Sequence, residues 1–100
     1  MPRFLVQISV ALPPDMPSIE HATLLERERE RGRQLKQAGV IQDIWRVPGR
    51  LANVGIWRTP SVTALHEAIA SLPVWAWTEV TVTPLADHHL TSEPEGTDGG

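Results

Sequence analysis

"VIQDIWRVPGRLANVGIWRT", Val40 to Thr59, is the stretch on which the fold turns. Two runs rich in β-branched and aromatic residues, 40–47 and 50–59, flank Pro48 and Gly49, a two-residue turn signal, so the stretch reads as a β-hairpin. A hairpin at the centre of a chain of 100 residues leaves about forty on each side, and each side has room for one strand and one helix, with no internal repeat evident.

Upstream, Phe4, Val6, Ile8, Val10 and Leu12 alternate with Leu5, Gln7, Ser9 and Ala11, the period of two of a strand with one well-buried face. "PPDMP", residues 13–17, stops it. A helix is expected from about residue 18 to 38, capped by Ser18 with His21 or by Asp15 and closed by Gly39. Downstream, Pro60 and Ser61 open a second helix in which Val62, Leu65, Ile69 and Leu72 recur at helical spacing until Pro73. "TEVTVTPL" then supplies a fourth strand. The order β-α-β-β-α-β is the ferredoxin-like α+β arrangement, a four-stranded antiparallel sheet with two helices on one face. The other face is left bare, and many strand positions are apolar on both sides, so that face is expected to meet a second subunit, most simply in a dimer.

Composition narrows the function. With 41% apolar and 21% charged residues the chain suits one globular domain over residues 1–90, and the acidic, Gly-rich residues 91–100 read as a flexible tail. A net charge of -3 with interleaved bases gives no footprint for nucleic acid or an anionic membrane. The absence of cysteine excludes disulfides, thiolate catalysis and Cys-based metal sites. The apolar start is too short to span a bilayer and lacks the parts of a signal peptide, which makes the cytoplasm the expected location. His66, His88 and His89 show no metal-binding spacing, no G-x-S-x-G marks a serine nucleophile, and there is no glycine-rich phosphate loop, so neither metal nor cofactor is expected.

One carboxylate stands out. In "LLERERERGRQL", residues 24–35, Glu26 and Glu30 project to one side of the helix, whereas Glu28 falls in an apolar arc with Leu24, Leu25, Gly32 and Leu35, His21 lying on the same side. A carboxylate facing a sheet loses hydration, its protonated form is favoured, and it can accept and release a proton near neutral pH. Gly32, one turn on, leaves space beside it. Equally, Glu28 pairs with Arg29, Arg31 or a strand arginine, or the helix turns it toward water; the wheel leaves both readings open. On the hairpin, Arg46 and Arg50 flank the turn and suit a substrate carboxylate, and Asn53 offers both a donor and an acceptor. Trp45 and Trp57 read as core or interface aromatics.

"LPPDMP" after the first strand, the Glu-rich helix ending in "AG", "IWRVPGRLAN", "LHEAIASLPV" and "VTPLADHH" occur in an order and spacing that resemble the muconolactone delta-isomerase family over about residues 4–89. The resemblance implies a ferredoxin-like subunit of the dimeric α+β barrel type, without cofactor or metal, assembled into homo-oligomers that are at least dimers; decamers are known in the family. Its members move a proton within a small lactone that carries a carboxylate, and related ones eliminate chloride from a chlorinated lactone. Matched by position, the family's helix carboxylate falls on Glu28, and its other site residues fall on Trp45, Arg46 and Asn53. Glu28 is then base and acid, Arg46 a charge stabiliser and Asn53 an oxyanion or orienting donor, while Arg50, Leu51, Trp45 and His66 are the substrate-binding candidates. Where the family commonly has His-Tyr before Ala-Asn, this chain has Arg50 and Leu51, a lost hydroxyl and a gained cation; Trp75 and Trp77 also reshape the aromatic patch. Two alternatives stay beside the isomerase: a cyclase, dehydratase or oxygenase-like enzyme of a natural-product pathway on the same fold, and a non-catalytic small-ligand-binding module.

Overall fold

The computed structural model describes residues 1–91, so the tail expected at 91–100 lies, from residue 92 onward, outside the described residues. Strand β1 (Arg3–Val10) leads into helix α1 (Ser18–Gln37), followed by β2 (Ile41–Arg46), β3 (Ala52–Arg58), α2 (Val62–Ala70), a short 3-10 turn η1 (Trp75–Trp77) and β4 (Thr78–Leu85). The strands form one antiparallel sheet in the order β2-β3-β1-β4, the ferredoxin-like arrangement. No helix among the described residues is long and apolar enough to cross a membrane.

Three rows of residues cross the inner face of the sheet, toward the helices. In the first, Ile41, Trp57, Phe4 and Pro84 stand side by side; in the second, Ile44, Gly55, Val6 and Val82; in the third, Arg46, Asn53, Ile8 and Val80. Directly opposed residues of antiparallel strands point to the same side, so the burial of Phe4, Val6 and Ile8 assigns all three rows to the core face. Leu35 of α1, Leu65 and Ile69 of α2, and Leu72 just beyond it close that core; α2 ends at Ala70 with Ser71 as its C-cap, short of the expected stop at Pro73. The face is hydrocarbon at one end and polar at the other.

Several expected boundaries shift. Strand β1 ends at Val10 rather than Leu12, and α1 ends at Gln37 rather than residue 38. Neither Ser18 nor Asp15 caps α1: its N-cap is Pro17, with no side-chain cap, because Ser18 is already the first helical residue. Gly39 does close α1, with φ +79°, its N–H donating to Lys36 O at 3.1 Å and Val40 N–H to Leu35 O at 3.0 Å, the paired bonds of a Schellman motif. The hairpin loop is longer than the two residues expected. Val47 N–H donates to Ala52 O at 3.0 Å, leaving residues 48–51 as the connection. Pro-Gly, with Gly49 at φ +81°, suits a type II turn, whose twist opposes that of the flanking strands, and the extra residues absorb the mismatch. Val62 at the start of α2 is exposed rather than buried, whereas Ser61 caps α2 by accepting from Ala64 N–H at 3.0 Å. His21, expected on the inner side of α1, is exposed.

A bulge between Ile41 and Asp43 sets the register of β2. Gln42 is the extra residue, and its carbonyl accepts from Lys36 Nζ at 2.9 Å. Gly55 lies opposite Ile44 at this point; a Cβ there would come within 2.6 Å of Asp43 O, so only glycine admits β2 so closely. The bulge shifts the alternation so that Ile44 and Arg46 both face the helices.

The outer sheet face carries Leu5, Val54 and Ile56, partly buried, beside Trp45 and Leu85, both exposed. Asp43, Glu79, Arg3 and Arg58 interrupt this apolar strip, which makes the face mixed rather than uniformly apolar.

Candidate active site

Where the inner face turns polar, α1 lies over a cavity of about 360 Å³. Ile8 and Val10 of β1, Leu25 of α1, Ile44 of β2 and Val74 beyond α2 give it apolar walls, with Leu51 and Ala52 at the hairpin end. Four polar side chains enter it: Glu28, Arg29, Arg46 and Asn53. An apolar pocket with few convergent polar groups is the common form of a small-molecule site.

Glu28 sits on the inner stripe of α1 with Leu24, Leu25 and Gly32, all partly buried, and Leu35, fully buried. Its Oε1 accepts a hydrogen bond from the Val74 backbone N–H at 3.3 Å. Among the described residues no arginine, lysine or histidine forms an ion pair with it, which removes the ion-paired reading of this carboxylate. Burial therefore raises its pKa above the ordinary glutamate range, and the Val74 hydrogen bond opposes that rise only in part.

Arg46 and Asn53 face Glu28's cavity from adjacent strands, paired across β2 and β3. Asn53 Oδ1 is buried without a hydrogen-bond partner, and the Arg46 guanidinium has no ion-pair partner among the described residues. A buried carbonyl oxygen without a donor costs about 1–3 kcal/mol, so its persistence beside an unpaired cation marks a place for a ligand that supplies a donor and a negative charge.

The other expected residues divide. Leu51 lines the cavity, and Trp45 contributes to its rim although its register opposite Val54 directs it to the outer face, where it is 55% exposed. Arg50 instead lines a second cavity of about 300 Å³ on the outer face, with Gln7, Ser9, Glu79 and Thr81. His66 lines neither; its ring meets Trp75 edge to face, with centroids 5.7 Å apart. Trp57 is core, 1% exposed. Among the described residues no group of three or more acidic, His or Cys side chains is placed to hold a metal ion.

Two contributors escaped the sequence. Val74 acts through its backbone, and the only signal was Pro73, which ends α2 and frees the amides that follow it. Arg29, weighed in the sequence only as an ion-pair partner of Glu28, forms no such pair among the described residues, and its long side chain instead reaches the cavity edge.

Comparison with known proteins shows the family and the fold. The family model described as muconolactone delta-isomerase matches residues 3–91. Muconolactone delta-isomerase of Cupriavidus pinatubonensis is 36% identical over 85 residues, covering 85% of this chain and 92% of the relative. Muconolactone delta-isomerase 2 of Acinetobacter lwoffii is 34% identical over the same length, covering 85% of this chain and 88% of its own. A crystal structure of muconolactone isomerase superposes with a TM-score of 0.85 at 30% identity, over 93% of this chain and 97% of that one.

Proposed function

This chain belongs to the muconolactone delta-isomerase family and is an isomerase, and on that premise we propose that it moves a proton between two ring carbons of a small unsaturated lactone, muconolactone or a close relative, with Glu28 as the shuttle. In this reading the Glu28 carboxylate removes the proton from the ring carbon that bears the ring oxygen. The electron pair spreads through the adjacent double bond onto the lactone carbonyl, giving a dienolate. The carboxyl group then returns the proton to the carbon next to the carbonyl, the double bond ends one position along, and Glu28 is again a carboxylate. Substrate and product are isomers, so no redox partner enters.

The observation that carries the reading is the set of groups in one cavity: a partly buried carboxyl that, among the described residues, is bonded only to a backbone N–H, beside a guanidinium and an amide oxygen that have no partner among those residues. A raised pKa suits the first, because a group that must take and give the same proton works best when its pKa lies near the working pH. Arg46 suits the free carboxylate of the substrate or the negative charge of the dienolate. Asn53 has an amide donor for the developing oxyanion, and its Oδ1 can accept from a substrate hydroxyl or a protonated intermediate. Trp45 remains a substrate-binding candidate at the cavity rim, whereas Arg50 and His66 remain so only if a partner subunit completes the site. A homo-oligomer built on the outer sheet face, with its mixed apolar and charged surface, belongs to the same proposal, as does the cytoplasmic location.

Leu51 favours a relative of muconolactone over muconolactone itself, since it presents hydrocarbon to the cavity where the family commonly has a hydroxyl-bearing tyrosine. The test is direct. Muconolactone and substituted lactones are followed by ultraviolet absorbance with the parent protein and with Glu28→Gln. A loss of about 10² to 10⁴ in kcat is expected for the variant. Turnover of no lactone at high enzyme concentration, or a variant within about threefold of the parent, would count against the shuttle, because general acid-base catalysis is worth far more than that.

A further inference from the structure

One face of α1 grips the corner after α2 at two points. Arg31 Nε donates to Ser71 Oγ at 3.0 Å, and Val74 N–H donates to Glu28 Oε1 at 3.3 Å. Glu28 and Arg31 are three residues apart on a helix, and so lie on one face. Ser71 and Val74 are likewise three apart along the corner.

Each end of the Arg31 contact is held in turn. Ser71 is the C-cap of α2, and its hydroxyl donates to Ala68 O at 2.6 Å, which commits its hydrogen and leaves lone pairs for Arg31. Arg31 Nη1 donates to Gln34 Oε1 at 3.0 Å, fixing the guanidinium from its own helix. Between Ser71 and Val74 the chain is a run of tight turns, with Leu72 N–H on Ile69 O at 3.1 Å, Trp75 N–H on Leu72 O at 2.9 Å and Trp77 N–H on Val74 O at 2.9 Å. A displacement of Ser71 is therefore transmitted to Val74. The Val74 contact, at 3.3 Å, is already longer than the usual 2.7–3.2 Å, so little further separation breaks it.

We propose that Arg31 is a positioning residue for Glu28: by holding Ser71 it keeps the corner where the Val74 N–H meets the carboxyl oxygen. The proposal rests on the reading of Glu28 as the proton shuttle. A donor on the carboxylate favours its ionised form and offsets part of the cost of burial, so the grip sets how readily Glu28 gives up and retakes a proton. The other charged groups that share the cavity are Arg29 on the same helix and Arg46 on β2; the residues that line it from β1, β3 and the corner are uncharged. Neither arginine is within ion-pair distance of Glu28.

The experiment is titration of the Glu28 carboxyl carbon by NMR in glutamate-labelled full-length protein, alongside the pH dependence of turnover. Arg31→Met keeps the aliphatic stem and removes the donor; Ser71→Ala removes the acceptor. Each is expected to raise the Glu28 midpoint by about half a pH unit, a fraction of what one hydrogen bond to a carboxylate supplies. The double variant is expected to shift no further than either single one, and Ser71→Thr, which keeps the hydroxyl, to titrate as the parent. The acidic limb of the rate profile moves with the midpoint. An unchanged Glu28 midpoint in Arg31→Met overturns the proposal, and that variant alone decides if Ser71→Ala does not fold. Should Glu28→Gln keep full turnover, the shuttle reading falls, while the titration still decides whether Arg31 positions the carboxyl.

Discussion

Arg46 and Asn53 stand opposite each other across β2 and β3, both on the helix side of the sheet, and among the described residues neither side chain has a hydrogen-bond or ion-pair partner. Opposed residues of an antiparallel pair have Cβ atoms about 4.5–5.5 Å apart, so one small ligand can touch both. If Arg46 holds the substrate carboxylate, Arg46→Met raises KM by about tenfold to a hundredfold with a smaller change in kcat, and Arg46→Lys recovers only part because an ammonium cannot make the paired contact. Steady-state kinetics on the lactone separates this from a role at the dienolate, which would lower kcat instead.

Asn53 is expected to trade stability for activity. Its buried Oδ1 has no donor among the described residues, so replacing the amide by hydrocarbon removes an unpaired polar group. Asn53→Leu is expected to keep or raise the thermal midpoint while kcat falls by about 10² or more, the usual effect of losing an oxyanion donor. Calorimetry and kinetics on one preparation check both halves.

The Glu28 carboxyl links stability to pH in a stated direction. Burial raises its pKa in the folded state, so the folded protein holds this proton more tightly than the unfolded chain does. Below the unfolded value both states are protonated and no cost arises. As pH rises from there through the raised folded value, the buried group must ionise and stability is lost. Urea denaturation of the parent and Glu28→Gln should therefore coincide at acid pH and diverge toward neutral pH, with the Gln variant the more stable. If Glu28 is the proton shuttle proposed above, kcat/KM is expected to show an acidic limb centred above the ordinary glutamate range.

Two glycines should respond in opposite ways to alanine. A Cβ at Gly32 meets nothing within 4 Å, so Gly32→Ala stabilises α1 by about 0.5–1 kcal/mol through helix propensity. At Gly55 the added carbon would lie 2.6 Å from Asp43 O, a backbone atom that moves only with β2. Gly55→Ala is expected to cost about 1–3 kcal/mol and, by displacing the strand that carries Arg46, to raise KM. Chemical denaturation of both variants tests the pair.

The element order was legible in the sequence because each element writes its own period: two along Phe4, Val6 and Ile8, and helical along Leu65, Ile69 and Leu72. Glu28 was legible for the same reason, as a charge out of phase with its helix. Less visible were the features that depend on pairing. The bulge at Gln42 is a property of β2 and β3 together, and it decides that Arg46 meets Asn53 on the inner face. The cap of α1 was misread because Ser18, a good cap by type, was drawn into the helix after Pro17. Val74 contributes a backbone amide, and an amide carries no side-chain signature. Arg50 and His66 show the converse: suitable chemistry in the sequence, carried by the fold away from the cavity of Glu28.

Strand β1 lies between β3 and β4. A chain emerging from the ribosome can therefore offer its first strand one neighbour early, but the other edge of Val6 and Ile8 stays open until Thr78–Leu85 has been made. The Val74 amide that meets Glu28 is synthesised 46 residues after the carboxyl it serves. In a nascent chain Glu28 therefore waits for 46 further residues before the corner that encloses it exists, and the pocket is closed only once that corner has followed α2 out of the ribosome.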